Sequence, residues 1–339
     1  MPTPCQPSGT LSQSWDASHA QYDGGTNQGF VTSKSGPAAM GYLTPADMPF
    51  TAALARTFPI GDRYFCSTLA QTYPNRRFLM AGTSLGLVND TFSLALPPNG
   101  TIFDVLNRYG IPWKNYFSNV PSAAIFLPLL KDPKVAANLA PFSHFLDDAR
   151  SGTLPGFSLV DPNFSQNSEE PPQDVQYGDT FLSQVVQAVL GGAAWAKTLL
   201  VWAYDEHGGY YDHVPPPRAV PPDAVAPILP AGSAPGGFDR YGFRVPFGIV
   251  SPYARPDYVS HVVHDHTSVL KLVERKWNLP ALTARDANAD DLLDAVDLQA
   301  KPHFLVPPRL PVPADTAAQA GCLVTGPGAI PPPGAVLPA

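Results

Sequence analysis

The sequence predicts an α/β fold, a three-layer α/β/α sandwich with a mostly parallel sheet, and three observations carry that prediction. Residues 179–190 put Phe181, Leu182, Val185, Val186, Val189 and Leu190 on one helical stripe, with Asp179 as cap and Gly191-Gly192 as stop. Leu199 to Tyr204 is a continuous apolar run, the pattern of a central strand buried on both faces. That run ends in Asp205-Glu206-His207-Gly208-Gly209, which places charge at a carboxyl strand end, where open α/β sheets bind ligands.

The remaining elements alternate in the same way. Residues 1–13 read as a flexible lead, followed by a polar loop carrying His19 between Trp15 and Tyr22. A helix is expected from near Thr44, with Pro45 suited to its first position, and a strand over residues 60–65. Thr72 then opens a helix that runs through Ala81. A hydroxyl there is ordinarily a cap, yet a helix start also suits an oxygen nucleophile, because its amides and dipole hold an anion. Helix 101–109, strand 113–117, a helix within 136–149 and strand 157–161 continue the alternation, the last ending in Asp161. Residues 215–242 are rich in Pro, Ala and Gly and read as a long loop, with Arg218 as a phosphate candidate. Strand 244–250 and a helix capped by Asp265 follow. His261, His264 and His266 invite a metal triad, but in an extended segment 264 and 266 share a face that 261 does not.

Composition narrows the function classes. The 339 residues carry a net charge of −7 with 14% charged residues, which argues against a nucleic-acid binder. Forty-one prolines predict long ordered loops, and residues 306–339 read as a proline-rich tail after one large domain spanning 1–305. Cys5, Cys66 and Cys322 form no zinc or redox spacing, and a bridge from Cys5 to Cys322 stays open. No apolar run reaches the ~20 residues a membrane span needs, and the first residues lack the basic segment and apolar core of a secretion signal.

The acidic centre points to chemistry. Neighbouring strand residues face opposite ways, so Asp205 and Glu206 converge only if the backbone turns, and Gly208-Gly209 permits the turn. Two converging carboxylates repel unless a cation lies between them, so one divalent metal is expected there; the alternative is a solvated acidic loop.

The segment YDEHGGYYDHVPPP over 204–217 resembles the signature of a bacterial phosphoesterase family. That family includes phosphatidylcholine-preferring phospholipases C and an acid phosphatase branch, and is related to the alkaline phosphatase superfamily. Residues 72–76, TYPNR, resemble its T-x-PNR block, residues 14–30 its HSW…H…Y block, and Asp265-His266-Thr267-Ser268 its second site segment. The resemblance spans roughly residues 14–305. It implies an alkaline-phosphatase-like fold and hydrolysis of a phosphate ester through a phosphothreonine. Thr72 is then nucleophile and metal ligand, with Asp205 and Glu206 completing the metal set. His19 or His207 assists the leaving group, and Asn75, Asp265 and His266 contact the substrate. Ser67 and Thr68 are rival hydroxyls without the following Pro-Asn.

The phospholipase C branch matches more closely, which implies a phospholipid or other phosphate-ester substrate, contact with a membrane surface, and export from the cell. Aromatic faces at Trp15, Tyr22, Tyr210, Tyr211 and Phe243 are candidates for holding choline. The chain departs from the family in two places. Glu170 stands where relatives carry histidine before the Pro-Pro pair, and no Glu-Asn pair in an ENRSFDHYFG-type segment is present. An acid phosphatase, a soluble phosphodiesterase and a non-catalytic phosphate or metal binder are therefore the alternative readings.

Overall fold

A computed structural model describes residues 5–7, 11–313 and 322. The helices are α1 (Trp15–Tyr22), α2 (Pro49–Thr57), α3 (Thr72–Ala81), α4 (Ile102–Arg108), α5 (Leu127–Leu130) and α6 (Pro133–Ala136), then α7 (Phe142–Ser151), α8 (Val175–Leu190), α9 (His266–Trp277) and α10 (Ala284–Ala287). The strands are β1 (Ile60–Gly61), β2 (Trp113–Phe117), β3 (Leu139–Pro141), β4 (Phe157–Asp161), β5 (Leu200–Ala203), β6 (Phe247–Val250) and β7 (Val259–Ser260). The fold is α/β with a parallel sheet, as the alternation predicts. Strands β3, β2 and β4 form that parallel sheet, in the order β3-β2-β4.

The second sheet is mixed, in the order β5-β6-β1-β7. Here the expectation of a central β5 is corrected. It lies at an edge, pairs antiparallel with β6 and is only partly buried. The apolar run of residues 199–204 is divided between two cores, Leu200 and Trp202 joining the one that holds the α2, α7 and α8 side chains and Leu199 and Val201 the one around Val245, Phe247 and Ile249. Among the described residues, β4 pairs only with β2 and β5 only with β6. Arg76 bridges their carboxyl ends.

Capping explains two displaced helix starts. Helix α8 begins at Val175 because the Asp174 side chain accepts from Gln176 N. Asp179, expected as that cap, sits inside α8 and accepts from Phe50 N at 3.0 Å and Thr51 N at 2.7 Å. It thus satisfies the start of α2 from the neighbouring helix, and α2 begins at Pro49 rather than near Thr44. Only Ile60–Gly61 of the strand expected over 60–65 is regular, with isolated bridges at Tyr64 and Phe65.

The described residues near the start and toward the end of the sequence are held more tightly than composition suggests. Gln6, in the expected flexible lead, is buried and donates to Glu169 O and Gln173 O at 2.7 and 2.9 Å. Cys5 is bridged to Cys322, while Cys66 is a buried free thiol. Leu310 packs into the core around Phe58, Trp195 and Trp202, and Trp195 Nε1 donates to Phe304 O at 2.8 Å. The rest of the proline-rich tail, apart from residue 322, lies outside the described residues beyond 313.

Candidate active site

A cavity of about 500 Å³ opens where β5 ends and α3 begins, and Thr72, Arg76, Glu170, Asp205, Glu206 and His207 all line it. The turn expected after the acidic pair is present. Gly208 and Gly209 take φ of +63° and +82°, and a Cβ on Gly209 would stand 2.7 Å from Ser12 N. Gly208 N donates to Glu206 Oε2 at 2.7 Å, folding that carboxylate back toward the cavity.

Thr72 is the first residue of α3, is buried, and borders the cavity. Its helix start is less open to an anion than the sequence suggests. Tyr73 N donates to Asp90 Oδ1 at 2.7 Å, and Pro74 has no N–H to offer. Asp90 is itself pushed up to about 6 by burial, against the bonds from Tyr73 N and Gln71.

Arg76, one turn further along α3, organises the acidic end of both sheets. Its Nε donates to Asp205 Oδ2 at 2.7 Å, and its Nη1 to Asp161 Oδ1 at 3.2 Å and Ser122 Oγ at 2.9 Å. Glu206 has no such partner. Burial first, and then the charge of Asp205, hold its carboxyl well above the usual range. A like-charged pair of this kind is what a divalent cation neutralises, and Thr72, which lines the same cavity, carries a third oxygen donor. The donor set fits a hard, oxygen-preferring cation.

The other expected site residues separate into distinct places. His207 lines the cavity between Phe30 and Phe243, with Nε2 donating to Gln21 Oε1 at 2.7 Å. Burial lowers its pKa to about 3. Its Nε2–H is engaged by Gln21. His19 is corrected on placement. Its ring lies tilted against Trp15 with centroids 4.1 Å apart, its Nδ1 sits 2.8 Å from Trp15 O, and it lines a second cavity with Tyr22 and Arg240.

Three expected substrate contacts are supports instead. Asn75 is wholly buried, its Oδ1 accepting from Thr68 N at 3.0 Å and its Nδ2 donating to Ala70 O at 2.8 Å. It fixes the loop that delivers Thr72. Asp265 caps α9 and accepts from Ser67 Oγ at 2.7 Å and Thr267 Oγ1 at 2.6 Å. His266 Nε2 donates to Asp205 O at 2.8 Å, holding the acidic turn from behind. Arg218 is an exposed partner of Asp239, away from the cavity.

Several residues that shape this site carried no assigned role in the sequence. Arg76 stands within the TYPNR block, which is the one signal that points to it. Glu169 and Tyr204 line the same cavity and share a short hydrogen bond. Burial raises the Glu169 carboxyl to about 8, with the Tyr204 bond opposing. Because this value lies above that of the unfolded chain, Glu169 favours folding below pH ~4.5, and that contribution is lost as pH rises toward about 8. The melting temperature of Glu169→Gln should therefore fall less than that of the parent between pH 5 and 8 in differential scanning calorimetry. Parallel curves would show that this carboxyl does not carry the dependence.

His261, His264 and His266 occupy three unrelated places. His261 pairs with Asp62 at the surface, His266 supports Asp205, and His264 joins Asp290 and Asp294 in a group whose donor atoms lie within 4.8 Å of one another.

Comparison with known proteins bears on these residues. The model of the Phosphoesterase family matches residues 7–280. Phospholipase C B of Mycobacterium tuberculosis is 32% identical over 334 residues, covering 86% of this chain and 64% of that protein. Non-specific phospholipase C6 of Arabidopsis thaliana is 33% identical over 288 residues, covering 79% of this chain and 55% of that protein. The chain thus spans less than two thirds of the length of either relative. Among solved structures, a phosphonate monoester hydrolase from Silicibacter pomeroyi aligns at 11% identity over 69% of each chain, with a TM-score of 0.34, too low to support an argument.

Proposed function

Since this chain belongs to the Phosphoesterase family, we propose that it hydrolyses phosphate esters, with Thr72 as the attacking group and a phospholipid as the preferred substrate. The observation that carries the reading is that Thr72, at the first turn of α3, and Asp205 and Glu206, after the end of β5, line one cavity. Thr72, Asp205 and Glu206 are the residues that would hold a divalent cation, which when bound lowers the pKa of a hydroxyl and offsets charge developing on phosphoryl oxygens.

The chain's own groups account for the rest. Asn75 and Asp90 fix the start of α3, where Gln71 holds the cap position and Thr72, the first helical residue, lines the cavity. Thr72 Oγ gives up its proton to solvent water and forms a bond to phosphorus as the bond to the leaving alcohol breaks. The leaving alcohol takes up the proton that Thr72 released, returned through solvent water, while His207 Nε2–H stays on Gln21. Water then cleaves the phosphothreonine and restores the hydroxyl. Arg76 holds Asp205 by hydrogen bond and His266 holds its carbonyl, so the acidic turn keeps its position through both steps.

The cavity mouth supports a lipid substrate. Leu43, Met48 and Tyr211 line it, and Tyr211, Tyr42 and Met40 are 43, 55 and 43% exposed. Tyr211 N donates to Ala39 O at 2.9 Å, which draws the Met40 segment to this rim. Tyr204, Tyr210 and Tyr211 line the cavity and offer aromatic faces to a choline group. Trp15 and Phe243, named for that role from the sequence, do not line it, and Tyr22 lines the second cavity. Among the described residues no helix is long and apolar enough to cross a membrane. The bridge between Cys5 and Cys322 suits an oxidising compartment and so supports export.

The test is turnover of p-nitrophenyl phosphorylcholine and p-nitrophenyl phosphate by protein of measured metal content. Faster release from the phosphorylcholine ester is expected. Preference for the monoester would favour the acid phosphatase reading, and bound metal without turnover of either would favour the binder.

A further inference from the structure

We propose that His264, Asp290 and Asp294 form a second metal centre, separate from the cavity, that takes a zinc-class divalent cation. None of the three lines the cavity or belongs to the Thr72, Asp205 and Glu206 set, so the proposal stands independently of the hydrolase reading.

The hydrogen-bond assignment around His264 carries the argument. Its side chain is wholly buried, with Nδ1 3.4 Å from Asp290 Oδ1 and Nε2 3.4 Å from Asp294 Oδ1. Ser260 has one proton, which it gives to Asp294 Oδ2 in a short bond. Its oxygen at 3.1 Å from Nε2 must then accept, so Nε2 carries the imidazole proton. In the neutral ring this leaves the Nδ1 lone pair facing a carboxylate, and Nδ1 and Asp294 Oδ1 are both buried without a hydrogen-bond partner. The Nδ1 lone pair thus faces Asp290 Oδ1 at 3.4 Å with no proton between them, and the second unpartnered acceptor, Asp294 Oδ1, lies on the Nε2 side of the same ring, an arrangement that a positive centre shared by the group would satisfy.

A separation of 3.4 Å is long for an N–H···O bond. It matches the edge between two ligands of a tetrahedral ion with bonds of about 2.0–2.1 Å. One nitrogen and two carboxylate oxygens suit a borderline ion such as zinc. The supporting contacts are those of a metal site. Nε2–H is fixed by Ser260, Asp294 Oδ2 accepts from Tyr258 OH at 3.1 Å, and Asp290 Oδ1 accepts from Leu292 N at 3.1 Å. Asp290 is partly exposed and gives the ion a way in. The centre would tie the end of β7 to the turn at 290–295, just before Asp265 and His266, which support the acidic turn.

The experiment uses the full chain and zinc alone. Asp205→Asn/Glu206→Gln removes the two cavity carboxylates, and its zinc content is measured by elemental analysis after equilibrium dialysis. One zinc per chain is expected to remain, together with a rise in melting temperature on adding zinc. Asp290→Asn in that background should weaken the remaining site by about tenfold or more and abolish the rise. Because Asp290 is partly exposed, this variant should fold, and far-ultraviolet circular dichroism checks that it does. No zinc on the first variant, or equal affinity with and without Asp290→Asn, would overturn the proposal and identify His264 as an imidazolium held between two carboxylates.

Discussion

Thr72→Ala should lower turnover of p-nitrophenyl phosphorylcholine by on the order of 10³-fold or more, with the melting temperature unchanged to within a few degrees. The expectation rests on where the side chain stands. Thr72 opens α3 on the cavity wall, while the turn before it is held by Asn75 and the amide after it by Asp90. None of those bonds uses the Thr72 hydroxyl, so its loss removes the attacking oxygen and leaves the helix start in place. Thr72→Ser keeps the oxygen and should retain most of the activity. If the alanine variant turned over at near the parental rate, the nucleophile would lie elsewhere, with Ser67 and Thr68 next to be examined.

The largest effect on stability should come from Arg76→Ala, at ~3–5 kcal/mol, read as a fall of about 4–7 °C in melting temperature. The guanidinium holds Asp205, Asp161 and Ser122 together, and the Asp161 side chain is only 1% exposed. Removing one member of such a pair strands the other in a dry place, which costs far more than the pair itself contributes. Asp161 keeps bonds from Asn115 Nδ2, Ser122 N and Ser122 Oγ, all at 2.6–2.7 Å, so the loss is bounded. Arg76→Lys retains the charge without the two-sided fork and should fall between the parent and the alanine variant. An unchanged melting curve for Arg76→Ala would mean that the two strand ends hold together without it.

The parts of the molecule that sequence reading located are those fixed locally. Strands β2 and β4 and helices α4 and α9 fall where alternation, Thr101 and Asp265 put them. The acidic turn was legible because Asp-Glu before Gly-Gly has few conformations open to it. What escaped depends on partners far along the chain. Asp179 caps a helix more than a hundred residues away, and no local pattern distinguishes that from capping its own. The edge position of β5 could not be read because helices bury an apolar run as well as strands do. Asn75, Asp265 and His266 have the composition of ligand contacts, but a buried amide, carboxyl or imidazole facing main chain looks the same in sequence as one facing substrate. His19 drew attention by resemblance alone, and Trp15 holds it elsewhere.

The bridge between Cys5 and Cys322 has a topological consequence. It closes residues 5–322 into a ring, so a protease that severs the exposed loop around Pro230 leaves that span one covalent body rather than two. Both new ends stay leashed to the fold, and Gln6, one residue past the knot, remains seated against Glu169 and Gln173. Only a cut followed by a reductant would set a fragment loose, which makes the molecule tolerant of nicking for as long as its surroundings are oxidising.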